Sequence, residues 1–178
     1  CMPFNLIVQA VQKAWVPLKF QIYSEEKDPT NTISNIIKYY IIIVCFIWIM
    51  VALWGEVLIN IVVPSEYRNA GGLIPFIALI PLSNSLFYAF SSGFGITDNT
   101  KHLPLVNFFG LISIITFSML LVDNYGTKGV AISTAISWLV MAKGIHYFSQ
   151  KQYQINYNII FHLKIILGTI SLYIISYS

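Results

Sequence analysis

The sequence predicts an all-α integral membrane protein, a polytopic bundle of about six transmembrane helices. Three observations carry this. Of 178 residues, 57% are hydrophobic and only 10% are charged, against roughly 25% charged in a soluble domain. Ten basic and seven acidic side chains cannot clothe a globule of this size, so lipid must be the solvent for most of the chain. Second, long stretches carry no charge, as from Tyr39 to Gly55, and about 20 apolar residues cross a ~30 Å hydrocarbon core as a helix. Third, the runs are continuous, as from Tyr40 to Met50, whereas the strands of a membrane barrel alternate between a lipid face and a polar lumen face.

Charges and prolines set the elements in order. The expected helices cover residues 3–23, 39–55, 73–95, 103–122, 129–148 and 159–177. The first holds Lys13 and Lys19, so it is a membrane helix only if one face meets water or protein. The third carries Pro75 and Pro81, which predict tilt or a kink. Lys164 stands near one end of the sixth, where it can snorkel to the interface. In the fifth, Ala131/Ala135 and Ser133/Ser137 are small pairs four apart, which favour close helix packing. Cys45 lies in an apolar run and reads as a small hydrophobe.

Orientation follows from the basic residues flanking the spans. With loops on alternating sides, Lys13, Lys19, Lys27, Lys38, Lys101, Lys143, Lys151 and Lys164 fall on one side, and Arg68 and Lys128 on the other. The lysine-rich side is expected to be cytoplasmic, and the residues 25–35 form one of its loops. Scattered lysines and one arginine give no basic face for nucleic acid. His102, His146 and His162 lack ligand spacing and read as isolated interfacial side chains, so no metal site, cofactor or catalytic group is expected. No glycine pattern of a phosphate loop occurs.

The polar residues inside the spans are the candidate binding groups. At 100° per residue, Asn5, Gln9, Gln12, Lys13 and Lys19 share about a third of the first helix's circumference, with Phe4, Leu6, Val11, Leu18 and Ile22 on the remaining, apolar side. Amides and an ammonium are costly against lipid, so the stripe is expected to face a bundle interior or a wet cavity. Lys13 would dock an anionic group; the plainer alternative is a helix lying in the interface. Asn84, Tyr88, Ser91, Ser92 and Gly95 share a face of the third span, and Asn107, Gly110 and Ser118 one of the fourth. Helix packing is their first reading, with cavity lining by Asn84 and Asn107 the second.

Three stretches resemble one family. They are Ala10 and Ala14-Trp15-Val16-Pro17-Leu18 followed by Ser24-Glu25-Glu26-Lys27-Asp28; Trp54-Gly55-Glu56 through Pro64-Ser65-Glu66-Tyr67 and Ala70; and Val122-Asp123-Asn124-Tyr125-Gly126-Thr127-Lys128-Gly129-Val130-Ala131-Ile132-Ser133-Thr134-Ala135-Ile136-Ser137. They are similar to the polysaccharide flippases, the Wzx-type translocases of lipid-linked oligosaccharide, in the multidrug/oligosaccharidyl-lipid/polysaccharide exporter superfamily. Asp123 and Asn124 stand where the family often has proline, and Val130 and Ser133 replace alanines.

The resemblance implies a multi-pass protein of the bacterial inner membrane. Its substrate would be an undecaprenyl-pyrophosphate-linked oligosaccharide for surface polysaccharide or O-antigen, flipped without enzymatic chemistry. In the family about 12 to 14 helices form two bundles around a cavity, and one bundle rocks against the other. Residues 1–178 would be a C-terminal bundle, half or less of such a transporter, with the remaining N-terminal helices, membrane lipids, a polysaccharide polymerase and glycosyltransferases as partners. A cytoplasmic loop at residues 25–35 makes the first helix the eighth and the last the thirteenth. The resemblance gives Gln9, Gln12 and Lys13 to the sugar or pyrophosphate. Two rivals differ in their residues. A drug/cation antiporter favours a carboxylate within a span, and none is present here. A polymerase or acyltransferase favours a large outer loop with converging polar groups, and only Glu56, Glu66, Arg68 and Asp123 are offered.

Overall fold

The computed structural model describes residues 2–62, 71–97 and 101–177. These form α1 (Met2–Glu25), α2 (Pro29–Val62), α3 (Ile74–Phe90), α4 (Ser92–Thr97), α5 (Leu103–Tyr125), α6 (Thr127–Gln152) and α7 (Ile159–Tyr177), with no strand among the described residues. Four segments are long and apolar enough to cross a membrane: Pro29–Val57, Gly71–Phe90, Leu103–Tyr125 and Thr127–Gln152. The chain is an all-α polytopic membrane bundle, as its composition requires. The apolar stretch Ile160–Ser176 is shorter, and α1 is too polar to join the four.

Two elements differ from expectation. The second helix begins at Pro29 rather than near residue 39, because Asp28 starts it. One carboxylate oxygen of Asp28 accepts from the Thr30 hydroxyl at 2.8 Å and the Asn31 backbone N–H at 3.3 Å, and the other from Asn31 Nδ2 at 2.9 Å. An acidic cap followed by proline in the first turn is a strong helix start. The α1–α2 connection therefore shrinks to a few residues, and α2 runs on beyond its apolar part.

The third expected helix divides at Ser91, not at Pro81, which α3 absorbs. The Ser91 N–H is shared between the carbonyls of Phe87 and Tyr88, at 3.0 and 3.2 Å, and its hydroxyl donates to the Tyr88 carbonyl at 2.8 Å. This side chain competes for the helical acceptor and tightens the turn. Helix α4 then starts afresh against α6, where the Gly93 N–H donates to Ser149 Oγ at 3.2 Å.

Helix α6 is the axis of the bundle. Its small residues form two buried stripes on opposite sides. Ala131, Ala135, Ala142, Ile145 and Ser149 share the phase of Trp138, which meets Phe87 of α3 edge-to-face at 5.6 Å. Gly129, Ser133 and Ser137 face α5, where the Ser137 hydroxyl donates to the Gly110 carbonyl at 2.6 Å. The expected packing role of these small residues holds, and it serves two neighbours at once. On the far side of α3, α2 buries Ile33, Ile37, Ile41, Val44, Trp48 and Ala52 at helical spacing, and Trp48 meets Tyr173 of α7 at 5.6 Å. Cys45 is buried on the same helix, as a small hydrophobe should be. The spatial order is α5, α6, α3, α2, α7, with α1 laid over α2, α3 and α4.

The lysine-rich connections gather at one end. Tyr23 meets Tyr153 at 5.6 Å, Ser34 Oγ donates to the Asn156 carbonyl at 2.8 Å, and His102 stacks on Phe148 at 4.5 Å. At the opposite end Gly126 turns α5 into α6 and Lys128 lies over Phe76 at 5.3 Å. The loop with Arg68 and Glu66 lies outside the described residues.

A candidate substrate groove beside the first helix

Helix α1 docks through an aromatic anchor. The Trp15 Nε1–H donates to Ser92 Oγ at 3.3 Å, and Ser92, fully buried, donates to the Ala89 carbonyl at 3.0 Å. Phe4, Val8, Lys19 and Ile22 are buried with it. At 100° per residue these side chains and Trp15 lie within a third of the helix. The docking face is thus centred on one edge of the polar stripe. Val11 and Leu18, on the apolar side opposite the stripe, are exposed, as a lipid-facing side would be.

This rotation leaves the stripe lining a groove between α1 and the end of α3. The groove holds about 350 Å³ and is walled by Gln9, Gln12, Lys13 and Lys19 from α1. Trp15, Tyr88 and Ser91 complete it. Gln9 and Lys13 are exposed at its rim, Gln12 is half-buried, and Lys19 is only 7% exposed. None of the described residues lining it is acidic. Two ammonium groups without a carboxylate make a field that attracts anions. Behind Gln12 a smaller cavity of about 50 Å³ is flanked by Tyr40 and Tyr88. The Gln12 amide and the Tyr40 hydroxyl are both buried there, within reach of each other, and Ser85 also approaches the Tyr40 hydroxyl.

The other expected groups stand apart. The Asn5 side chain lies outside the described ones. Asn84 is half-buried, one turn along α3 from Tyr88 but not in the groove, and Asn107 is exposed on α5. Gly110 packs under Met141 instead. Lys19 lines the groove together with the stripe it was expected to share, and Trp15, Tyr88 and Ser91 join it without having been singled out as binding groups. Tyr88 and Ser91 required the tertiary contact of α1 with α3.

The histidines are not all isolated. Phe90 gathers His146 at 5.1 Å, Tyr157 at 5.2 Å and His162 at 6.3 Å between ring centroids. The backbone brings together side chains that lie far apart in sequence. Among the described residues no group of three or more His, Cys, Asp or Glu side chains converges as a metal site would need. Comparison of the chain with protein-family models, curated proteins and solved structures finds no match.

Proposed function

We propose that this chain forms one bundle of a lipid-linked oligosaccharide flippase of the bacterial inner membrane. It would carry an undecaprenyl-pyrophosphate-linked glycan from the inner to the outer leaflet for surface polysaccharide assembly. The observation that carries the proposal is the groove beside α1, where Gln9, Gln12, Lys13, Lys19, Trp15 and Tyr88 meet. Amides donate to and accept from sugar hydroxyls, and ammonium groups offset diphosphate charge. Aromatic faces give a sugar ring an apolar bed. The amides and ammonium groups would be costly against acyl chains and are useful against a polar headgroup.

The physical task is to shelter that headgroup while the polyprenyl tail stays in the bilayer. Further helices of the same transporter would close the groove into a cavity, and rocking of one bundle on the other would open it to each side in turn. A polymerase and glycosyltransferases of the same glycan would act before and after it.

Lys13→Ala in the complete transporter tests the reading. A charge-assisted hydrogen bond to phosphate contributes roughly 1.5–3 kcal/mol. Surface glycan display should therefore fall about tenfold or more while the protein inserts normally. Unchanged display would remove Lys13 from the path. In a background without Cys1 and Cys45, a cysteine at Gln9 should react with an aqueous thiol reagent; an unreactive one would show the groove to be dry.

A further inference from the structure

A second hollow lies on the far side of the bundle, away from α1. On one flank of the α5–α6 pair a trough of about 640 Å³ is walled by Phe109, Ile112, Phe117, Val140 and Phe148. Ser113 and Thr116 also line it, but the Thr116 hydroxyl already donates to the Ile112 carbonyl at 2.9 Å. Lys143 and Tyr147 close one end. The same two residues also line a second hollow of about 560 Å³, together with His146, Gln150, Lys151 and Gln154. Apolar trough and polar hollow thus form one surface along α6. Lys151 Nζ lies over the Tyr147 ring at 4.5 Å, which holds its charge at the hollow. None of the described residues lining either part is acidic.

The dimensions match one leaflet. From Val106 to Phe117 the trough runs ~16 Å at 1.5 Å per helical residue, and half of the ~30 Å hydrocarbon core is about 15 Å. Lys143 stands ~24 Å from Thr127, where α6 begins at the opposite end, and Lys151 ~36 Å from it. With Thr127 at one interface, Lys143 lies ~6 Å inside the other boundary of the ~30 Å core, a distance its side chain spans by snorkelling, and Lys151 lies ~6 Å beyond it at headgroup level. The polar hollow is also at the lysine-rich end of the bundle.

We infer that the α5–α6 flank binds an anionic diacyl phospholipid of the lysine-rich leaflet. One acyl chain lies in the trough, and the headgroup phosphate sits between Lys143 and Lys151. A zwitterionic lipid brings its own cation beside the phosphate and so leaves the positive charge of the two lysines unbalanced, and a free anion would leave the trough empty. The inference rests on the membrane fold and on these two hollows, and it holds whether or not the groove at α1 carries a glycan.

The test is lipid binding to the purified full chain in neutral detergent, followed by native mass spectrometry and thermal unfolding. Phosphatidylglycerol should be retained in preference to phosphatidylcholine. Each lysine near an anionic headgroup contributes roughly a fivefold factor, so the preference should fall by up to about 25-fold in K143Q/K151Q. Ser113→Phe, which fills the trough without touching a charge, should weaken retention of both lipids. Equal retention of the two lipids by the unaltered chain overturns the inference, whatever the variants do. A preference that survives K143Q/K151Q overturns it as well. Inorganic phosphate that protects as well as phosphatidylglycerol would reduce the site to an anion site without a lipid. A dimer mass lost in Ser113→Phe would give the flank to a second copy of the chain, again against the inference.

Discussion

Three glycines of the α5–α6 hairpin separate backbone conformation from space. Gly126 links α5 and α6 at φ +55° and ψ −131°, a region that side chains resist. Nothing stands where its Cβ would be. Gly126→Ala therefore probes conformation alone and should lower stability by about 1–3 kcal/mol. Gly129 has helical backbone, but a Cβ there would run into the carbonyl of Leu121, which cannot move aside. A Cβ on Gly110 would meet only the flexible end of Met141. Unfolding in mixed detergent should thus rank Gly129→Ala, at roughly 2–3 kcal/mol, above Gly110→Ala, at about 1 kcal/mol. The reverse order would mean that α5 and α6 are not packed as described. Asp28 gives a pH dependence. The Thr30 hydroxyl, then the Asn31 backbone and side chain, hold its carboxyl below the ordinary aspartate pKa. The folded state holds that proton less tightly than the unfolded state. The stability Asp28 gives is therefore present above the ordinary value of 3.8 and is lost as pH falls through the lower folded value. Asp28→Ala should flatten that acid limb in a pH series of unfolding midpoints.

At the scale of elements, α6 determines how the bundle is assembled, because it is buried from two sides. Ser137 bridges to α5 through the Gly110 carbonyl. In a membrane such a bond contributes about 0.6 kcal/mol on average and up to about 1.7. Ser137→Ala should cost about that much, while Ser137→Leu should cost more by wedging α5 away. Equal effects of the two would place Ser137 outside the helix interface. The two stripes were legible as small pairs four apart, since that spacing carries a helix-packing signal on its own. The partner of each stripe was not, because phase along one helix does not say which neighbour lies on which side. The break at Ser91 was hidden for a related reason. Two prolines marked α3 for distortion, but the helix absorbs Pro81 and yields where a serine hydroxyl takes up the Tyr88 carbonyl. Apolarity alone starts α2 at residue 39, whereas its cap at Asp28 lies eleven residues earlier in a polar stretch.

At the scale of the whole molecule, charge and tertiary contacts agree on the ends of the bundle. The membrane class and the polar stripe of α1 were legible because both are patterns of solvent preference along the chain. The groove's full wall was not, because it depends on Trp15 docking at Ser92, a contact between residues far apart in sequence. Asn84 and Asn107 show the limit of the same logic. A polar residue in a span marks a cost, but only packing decides whether it reaches a cavity. The arrangement of the ends leads to a prediction about topology. The α1–α2 turn, the start of α5 and the α6–α7 link are held together by Tyr23 with Tyr153, Ser34 with Asn156 and His102 with Phe148. Lys27, Lys101 and Lys151 are carried by these same segments, so the excess of positive charge lies at one end. Positive charge near short loops stays in the cytoplasm during insertion. Reporter fusions at Lys27 and Lys151 should both give the cytoplasmic signal, and a fusion at Gly126 or Ser65 the opposite one. Opposite signals from Lys27 and Lys151 would contradict the contact of Tyr23 with Tyr153 and hence the fold. A uniform reversal would leave the fold intact but turn it over in the membrane. The α5–α6 lipid surface would then face the outer leaflet, and the polar end of the α1 groove, near Lys19, would open to the periplasm instead of the side where lipid-linked glycans are made.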